Sequence, residues 1–134
     1  MTARIATASL AALALLTLGA CARGEAADER DVIRAPQAQV VGEPVNCVSL
    51  DRIERTQVHD DYTIDFHMRN NTIYRNTLPA RCGSLGFERR FAYQVSTGQL
   101  CRLDMIRVIT GNGIDGVTCG LGPFVPIELT GQPR

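Results

Sequence analysis

The stretch "YTIDFHMRNNTIYRNTL", residues 62–78, decides how this chain folds. Tyr62, Ile64, Phe66 and Met68 alternate with Thr63, Asp65, His67 and Arg69. Successive side chains of a strand point to opposite faces, so this alternation predicts a half-buried strand with its polar face in water. Asn70-Asn71 follows, and asparagine tolerates the left-handed backbone that tight turns need. A two-residue loop would set Phe66 against Arg75. A three-residue loop, 69–71, instead sets Phe66 against Tyr74, Tyr62 against Leu78 and Asp65 against Arg75. Only the second register keeps an apolar face apart from a charged one, and a slip of one residue would exchange the faces. The expected element is an antiparallel hairpin.

Outward from this hairpin, further strands are expected at 48–58, 87–95 and 103–109, with "STGQ" (96–99) turning a second hairpin. A last short strand at 124–129 contains Pro126 and follows Pro123, which suits an edge position because proline has no N–H to give a ladder. No segment shows capped helical periodicity; a single turn at 83–87 is the most that fits. The fold class is therefore all-β, mainly antiparallel, a small disulfide-stapled barrel or sandwich. The length, 134 residues, suits one domain.

The N-terminus carries an address. Residues 5–18 are apolar apart from Thr7, Ser9 and Thr17 and follow one arginine, Arg4. That is the length of a signal-peptide core and too short to cross a bilayer, which takes about 20 apolar residues. Leu18-Gly19-Ala20-Cys21 resembles a bacterial lipobox, in which the cysteine is acylated and becomes the mature N-terminus. Ala22 after it resembles lipoproteins sent to the outer membrane. Ordinary signal-peptidase cleavage after Ala22 is the alternative and would leave a soluble periplasmic protein. The expected organisation is a signal peptide at 1–20, a lipid-anchored disordered tether at 21–44, rich in Ala, Glu, Asp, Arg and Gln, and a folded domain at 45–134.

Five cysteines cannot all pair. Either cleavage removes Cys21 from the count, leaving Cys47, Cys82, Cys101 and Cys119, an even set in an oxidising compartment. No two are spaced C-x-x-C, as a zinc knuckle or redox site would have them. Two disulfides are expected. Three pairings are open, and Cys82–Cys101 nested inside Cys47–Cys119 is favoured because it would tie the ends of the domain together.

The remaining patterns weigh against familiar chemistries. Formal net charge is zero, so no basic footprint for nucleic acid exists. All fourteen basic residues are arginine, which excludes mechanisms needing a side-chain amine. "GNGIDG" (111–116) matches G-x-G-x-x-G, but "VTCGLGPF" follows where a dinucleotide site needs a helix; it reads as a glycine-rich loop. Ser49, Ser84 and Ser96 sit in no nucleophile elbow. In "FERRF" (87–91), Glu88 and Arg90 would share a strand face as a surface ion pair. "HDDYTIDFH" (59–67) holds both histidines and three aspartates, so His59, Asp65 and His67 are a weak candidate divalent-metal set. The competing reading is a solvated strand face with Asp65 paired to Arg75. No cofactor is expected.

"NCVSLDRI", "DDYTIDFHM", "IYRNTLPARCGSLGF", "GQLCRLDMIRV" and "TCGLGPFVPI" together resemble a family of small exported four-cysteine proteobacterial proteins of unknown function. The matching positions are Cys47, Ile53, Leu78, Cys82, Leu100, Cys101, Asp104, Ile106, Val108 and Cys119, with Asp61, Thr63 and Ile64 one residue off the tightest spacing. The resemblance implies an envelope protein and carries no activity, ligand or catalytic residue. The expected function is a non-enzymatic envelope accessory or interaction module, membrane-bound through its lipid and facing an envelope protein partner. The alternative is a small-ligand or divalent-metal-binding domain built on the His59–His67 strand.

Overall fold

The computed structural model describes residues 34–113 and 115–131. The expected signal peptide, the lipidated Cys21 and the first part of the tether lie outside them. Ten strands make three antiparallel sheets, none closed on itself among the described residues. The fold class is thus the expected one, without a closed barrel. The largest sheet has the order β1 (Ala38–Val40), β10 (Phe124–Leu129), β5 (Ile73–Thr77), β4 (Thr63–Met68), β3 (Ile53–Val58). A second pairs β2 (Cys47–Ser49) with β7 (Gln99–Cys101), and the third has the order β6 (Phe91–Tyr93), β8 (Met105–Ile109), β9 (Asp115–Gly120).

The central hairpin, β4 and β5, takes the three-residue loop. Phe66 faces Tyr74 and Asp65 faces Arg75, and Asn71 closes the turn at φ 66°, the left-handed position such loops require. One expectation fails there. All six residues of β4 are buried, so its polar face is not solvated. The strand lies between β3 and β5, and residues 34–36 cross over it from outside the sheet.

The core forms where the three sheets meet. Ile64, Phe66 and Met68 from β4 pack with Leu85, Leu100, Ile106, Val108, Leu121 and Phe124. The Phe66 ring meets Phe124 edge-on at 5.3 Å and Phe91 at 6.3 Å, joining the largest sheet to the third in the geometry aromatic pairs prefer.

Several boundaries differ from expectation. The 48–58 stretch is two strands, split by a 3-10 turn at Leu50–Arg52 that carries the chain from the β2–β7 pair into the large sheet. The 87–95 stretch begins in α1 (Leu85–Glu88), so "FERRF" is not one strand; Arg89 turns at φ 55° and only Phe91–Tyr93 is extended. Glu88 and Arg90 still lie 3.8 Å apart at the surface. Residues 103–104 are a turn before β8, with the Cys101 N–H donating to Asp104 Oδ2 at 2.7 Å. "STGQ" turns no hairpin, because β6 pairs with β8 and β7 with β2. The further hairpins are β3–β4 and β8–β9, and the glycine-rich stretch from residue 111 leads from β8 into β9.

β10 is interior rather than an edge, because Ala38–Val40, within the expected tether, pairs with its far side. Pro126 is accommodated there for a geometric reason. Its carbonyl accepts from the Val41 N–H at 3.0 Å, so its nitrogen faces the same way, toward the point where β1 stops.

Both expected disulfides form, with a different pairing: Cys47–Cys101 and Cys82–Cys119. The nested arrangement is excluded because Cys47 and Cys101 face each other across β2 and β7, while Cys82 meets β9 from the segment between β5 and α1.

Candidate functional site

The outer face of the large sheet, away from the core, gathers the polar residues of "HDDYTIDFH". Asp65 at its centre is 1% exposed. Its Oδ1 accepts from Arg75 Nε and its Oδ2 from Arg75 Nη2, both at 2.8 Å, and His59 Nε2 lies 2.8 Å from Oδ2. Burial acts on this carboxyl most strongly and would raise its pKa. The hydrogen bonds and charges of Arg75 and His59 together outweigh it, so Asp65 titrates below 3.8.

The other two aspartates fix the backbone around this pair. Asp60 accepts the Tyr62 N–H at Oδ1 and the Arg34 N–H at Oδ2, each at 2.8 Å. Arg75 Nη1 donates to the Pro36 carbonyl at 2.9 Å, and Thr130 N–H to the Gln37 carbonyl. Residues 34–37 therefore run as a strap from the β3–β4 turn, over the Asp65–Arg75 pair, to the end of β10. Asp61 accepts the Gly86 N–H at 2.8 Å and pairs with Arg81 at 2.9 Å, which seats α1 against the same turn.

His67 shares the face of Asp65 but not its partners. Its Nδ1 lies 3.2 Å from Arg55 Nη2. Burial, then the Arg55 cation, hold its pKa below 6.5. The candidate metal set of His59, Asp65 and His67 thus does not converge. Asp65 is neutralised by Arg75, and Arg55 occupies the His67 nitrogen that faces it. Among the described residues, no group of three His, Cys, Asp or Glu side chains is placed to hold a metal ion. The serines do not assemble with a histidine either: the side-chain bonds of His59 and His67 go to Asp65 and Arg55.

Beside His67 lies a groove of about 330 Å³ that includes Pro36, Glu54, Arg55 and Gln57 in its walls. The sequence reading missed Glu54 and Arg55. They enter through a bulge in β3, where Ile53 pairs with Met68 and Arg55 with His67, leaving Glu54 as the extra residue. An extra residue in one strand re-aims its neighbours and is invisible to an alternation count. Charge alone could have flagged Arg55 as a partner for the strand-face acids.

Residues 3–123 match the model of the family of unknown function DUF6491. The chain belongs to this family. No curated protein and no solved structure matches it. In this DUF6491 member, two disulfides mark an oxidising, extracytoplasmic environment. Among the described residues, no helix is long and apolar enough to cross a membrane.

Proposed function

We propose that this DUF6491 protein is an exported, lipid-anchored accessory of the cell envelope, a non-enzymatic interaction module tethered to the outer membrane through Cys21. The observation that carries the reading is the thiol count. Cys47, Cys82, Cys101 and Cys119 are consumed in pairs inside the fold, which leaves Cys21, directly after the apolar run, as the odd cysteine. Its neighbours Leu18, Gly19 and Ala20 supply the lipobox pattern. The non-enzymatic part rests on the Asp65 cluster, whose polar atoms are spent on one another and on the backbone.

The test is fractionation of cells expressing the full gene. Wild-type protein is expected in the membrane fraction, with a diacylglyceryl adduct on an N-terminal Cys21 by mass spectrometry. Cys21→Ser is expected to lose both. An unmodified mature N-terminus at another residue, or a Cys21→Ser protein still in the membrane fraction, would sink the anchoring reading.

A further inference from the structure

Three segments of the chain converge on the turn between β3 and β4. The Arg34 N–H donates to Asp60 Oδ2 at 2.8 Å, so the chain that precedes the strap reaches the domain at this turn. The Leu78 N–H donates to the Tyr62 carbonyl and the Cys82 N–H to the Asp61 carbonyl, which lays residues 78–82 along it. α1 packs on it so closely that a carbon added to Gly86 would lie 2.9 Å from the Asp60 Cα. The next residue, Phe87, is 87% exposed, the most of any large apolar side chain among the described residues.

Two features set Phe87 apart from a stray surface residue. α1 is a single turn bounded by Ser84 at φ 68° and Arg89 at φ 55°, and residues other than glycine enter that left-handed region only at a cost. The chain turns sharply on both sides of Phe87 and holds it outward. The second feature is charge. In residues 34–37, 59–62 and 78–90 every exposed charge is an arginine: Arg34, Arg81, Arg89 and Arg90. Asp60 is buried, and Asp61 and Glu88 are half-buried against Arg81 and Arg90. An exposed aromatic ring among arginines, with Pro79 and Ala80 also exposed, has the chemistry of an interfacial membrane contact. Apolar groups enter the acyl boundary there, and cations meet anionic headgroups.

We infer that this pole of the domain, Phe87 with Arg34, Arg89 and Arg90, rests on a bilayer surface bearing anionic phospholipid. The inference rests on the anchoring reading, which brings the pole to the membrane. Residues 22–33 separate Cys21 from Arg34, a reach of at most about 45 Å, and they join the domain at the pole that carries Phe87. So short a connection keeps the pole at high effective concentration near the surface, where a contact too weak to form from solution is occupied. The lipid retains the protein, and the Phe87 contact fixes which way the domain faces. Leu103 and Met105, exposed at the other end of β8 from α1, are turned away from the membrane.

The chain has no tryptophan, so Phe87→Trp places a single emitter at the pole, at a position exposed enough to keep the fold. The full lipidated protein is reconstituted into vesicles of phosphatidylethanolamine and phosphatidylglycerol, and acylation of Cys21 is read on the same sample by mass spectrometry. The Phe87→Trp emission is expected to shift to the blue and to be quenched by bromine-labelled acyl chains several-fold more than that of Leu103→Trp. Arg89→Gln with Arg90→Gln, or phosphatidylcholine in place of phosphatidylglycerol, should lower the quenched fraction several-fold. An acylated chain whose Phe87→Trp emission stays that of an indole in water would overturn the docking alone. Absence of the acyl group would remove the anchor and the docking with it. Equal quenching of Leu103→Trp would overturn the choice of pole, and quenching indifferent to both charge changes would overturn the anionic part. A blue shift without quenching would assign Phe87 to a protein partner instead.

Discussion

Asp65 is a carboxylate that water does not reach, and three hydrogen bonds from two side chains end on its oxygens. Breaking one side of a buried pair typically costs about 3–5 kcal/mol, whereas replacing both partners with apolar groups is often close to neutral. Asp65→Asn is therefore expected to lower the unfolding free energy by about that amount in urea titrations. Asp65→Leu with Arg75→Met should lose less than the sum of the single changes. A loss under about 1 kcal/mol for Asp65→Asn would show the pair to be ornamental. Acid adds a second prediction. His67 and Asp65 ordinarily titrate at 6.5 and 3.8, and both are held lower in the fold. In each window the unfolded chain binds more protons, so stability falls as pH falls. It should drop first below pH 6.5, as unfolded His67 takes its proton and the folded ring, facing Arg55, Asp65, His59 and Glu54, does not. The Asp65 contribution, complete above pH 3.8, should disappear as pH falls through its folded pKa. His67→Gln should flatten the upper step in a pH series of denaturation midpoints and leave the lower one. At this scale the sequence showed the Asp65–Arg75 contact, because register and opposite charge coincide there. It could not show the contact of His67 with Arg55, since that depends on a bulge one strand away.

Between elements, one side chain substitutes for a rung of the sheet. Asn76, fully buried on β5, donates from Nδ2 to the Gly122 carbonyl at 2.7 Å and accepts the Gly122 N–H at 2.9 Å. This reciprocal pair positions the residues entering β10. Asn76→Ala would strand both backbone groups, so a loss on the order of 2–4 kcal/mol is expected by chemical denaturation. Gly122→Ala should be comparably harmful, because its added carbon would collide with the Thr77 carbonyl oxygen. A cost near zero for both would mean that water takes over the bonds. The hairpin at 62–78 was legible down to its register because its two faces and its turn agree. The 48–58 segment was not, since an apolar-polar alternation names a face without naming the sheet. β10 was misplaced for the same reason: its outer neighbour, Ala38–Val40, is three residues in a polar stretch and has no pattern of its own.

Across the molecule, three sheets share one core and two disulfides interlace, closing separations of 54 and 37 residues. In the loop-entropy account each is worth about 4 kcal/mol. They differ in access. Cys47, Cys101 and Cys119 are half-buried and Cys82 is fully enclosed, so the second bond is open to attack at one sulfur only. Graded reduction with alkylation and peptide mass mapping should open Cys47–Cys101 first; simultaneous opening would show that the fold collapses as a unit. The number of disulfides was legible from the count of cysteines, but their pairing is decided by which strands meet, and β2 meets β7 only in the finished fold. The interlacing has a consequence for how the protein is made. A chain emerges N-terminus first, so Cys47 and Cys82 reach the oxidising compartment before Cys101 or Cys119. Neither is the other's native partner. A bond captured between them has to be exchanged, on the seconds-to-hours scale of thiol reshuffling. In cells without the compartment's disulfide isomerase, newly exported chains should accumulate a Cys47–Cys82 bond, and restoring the isomerase should release it. The mature protein is thus reached by proofreading of its crosslinks, and its abundance should follow the supply of isomerase in the compartment that receives it.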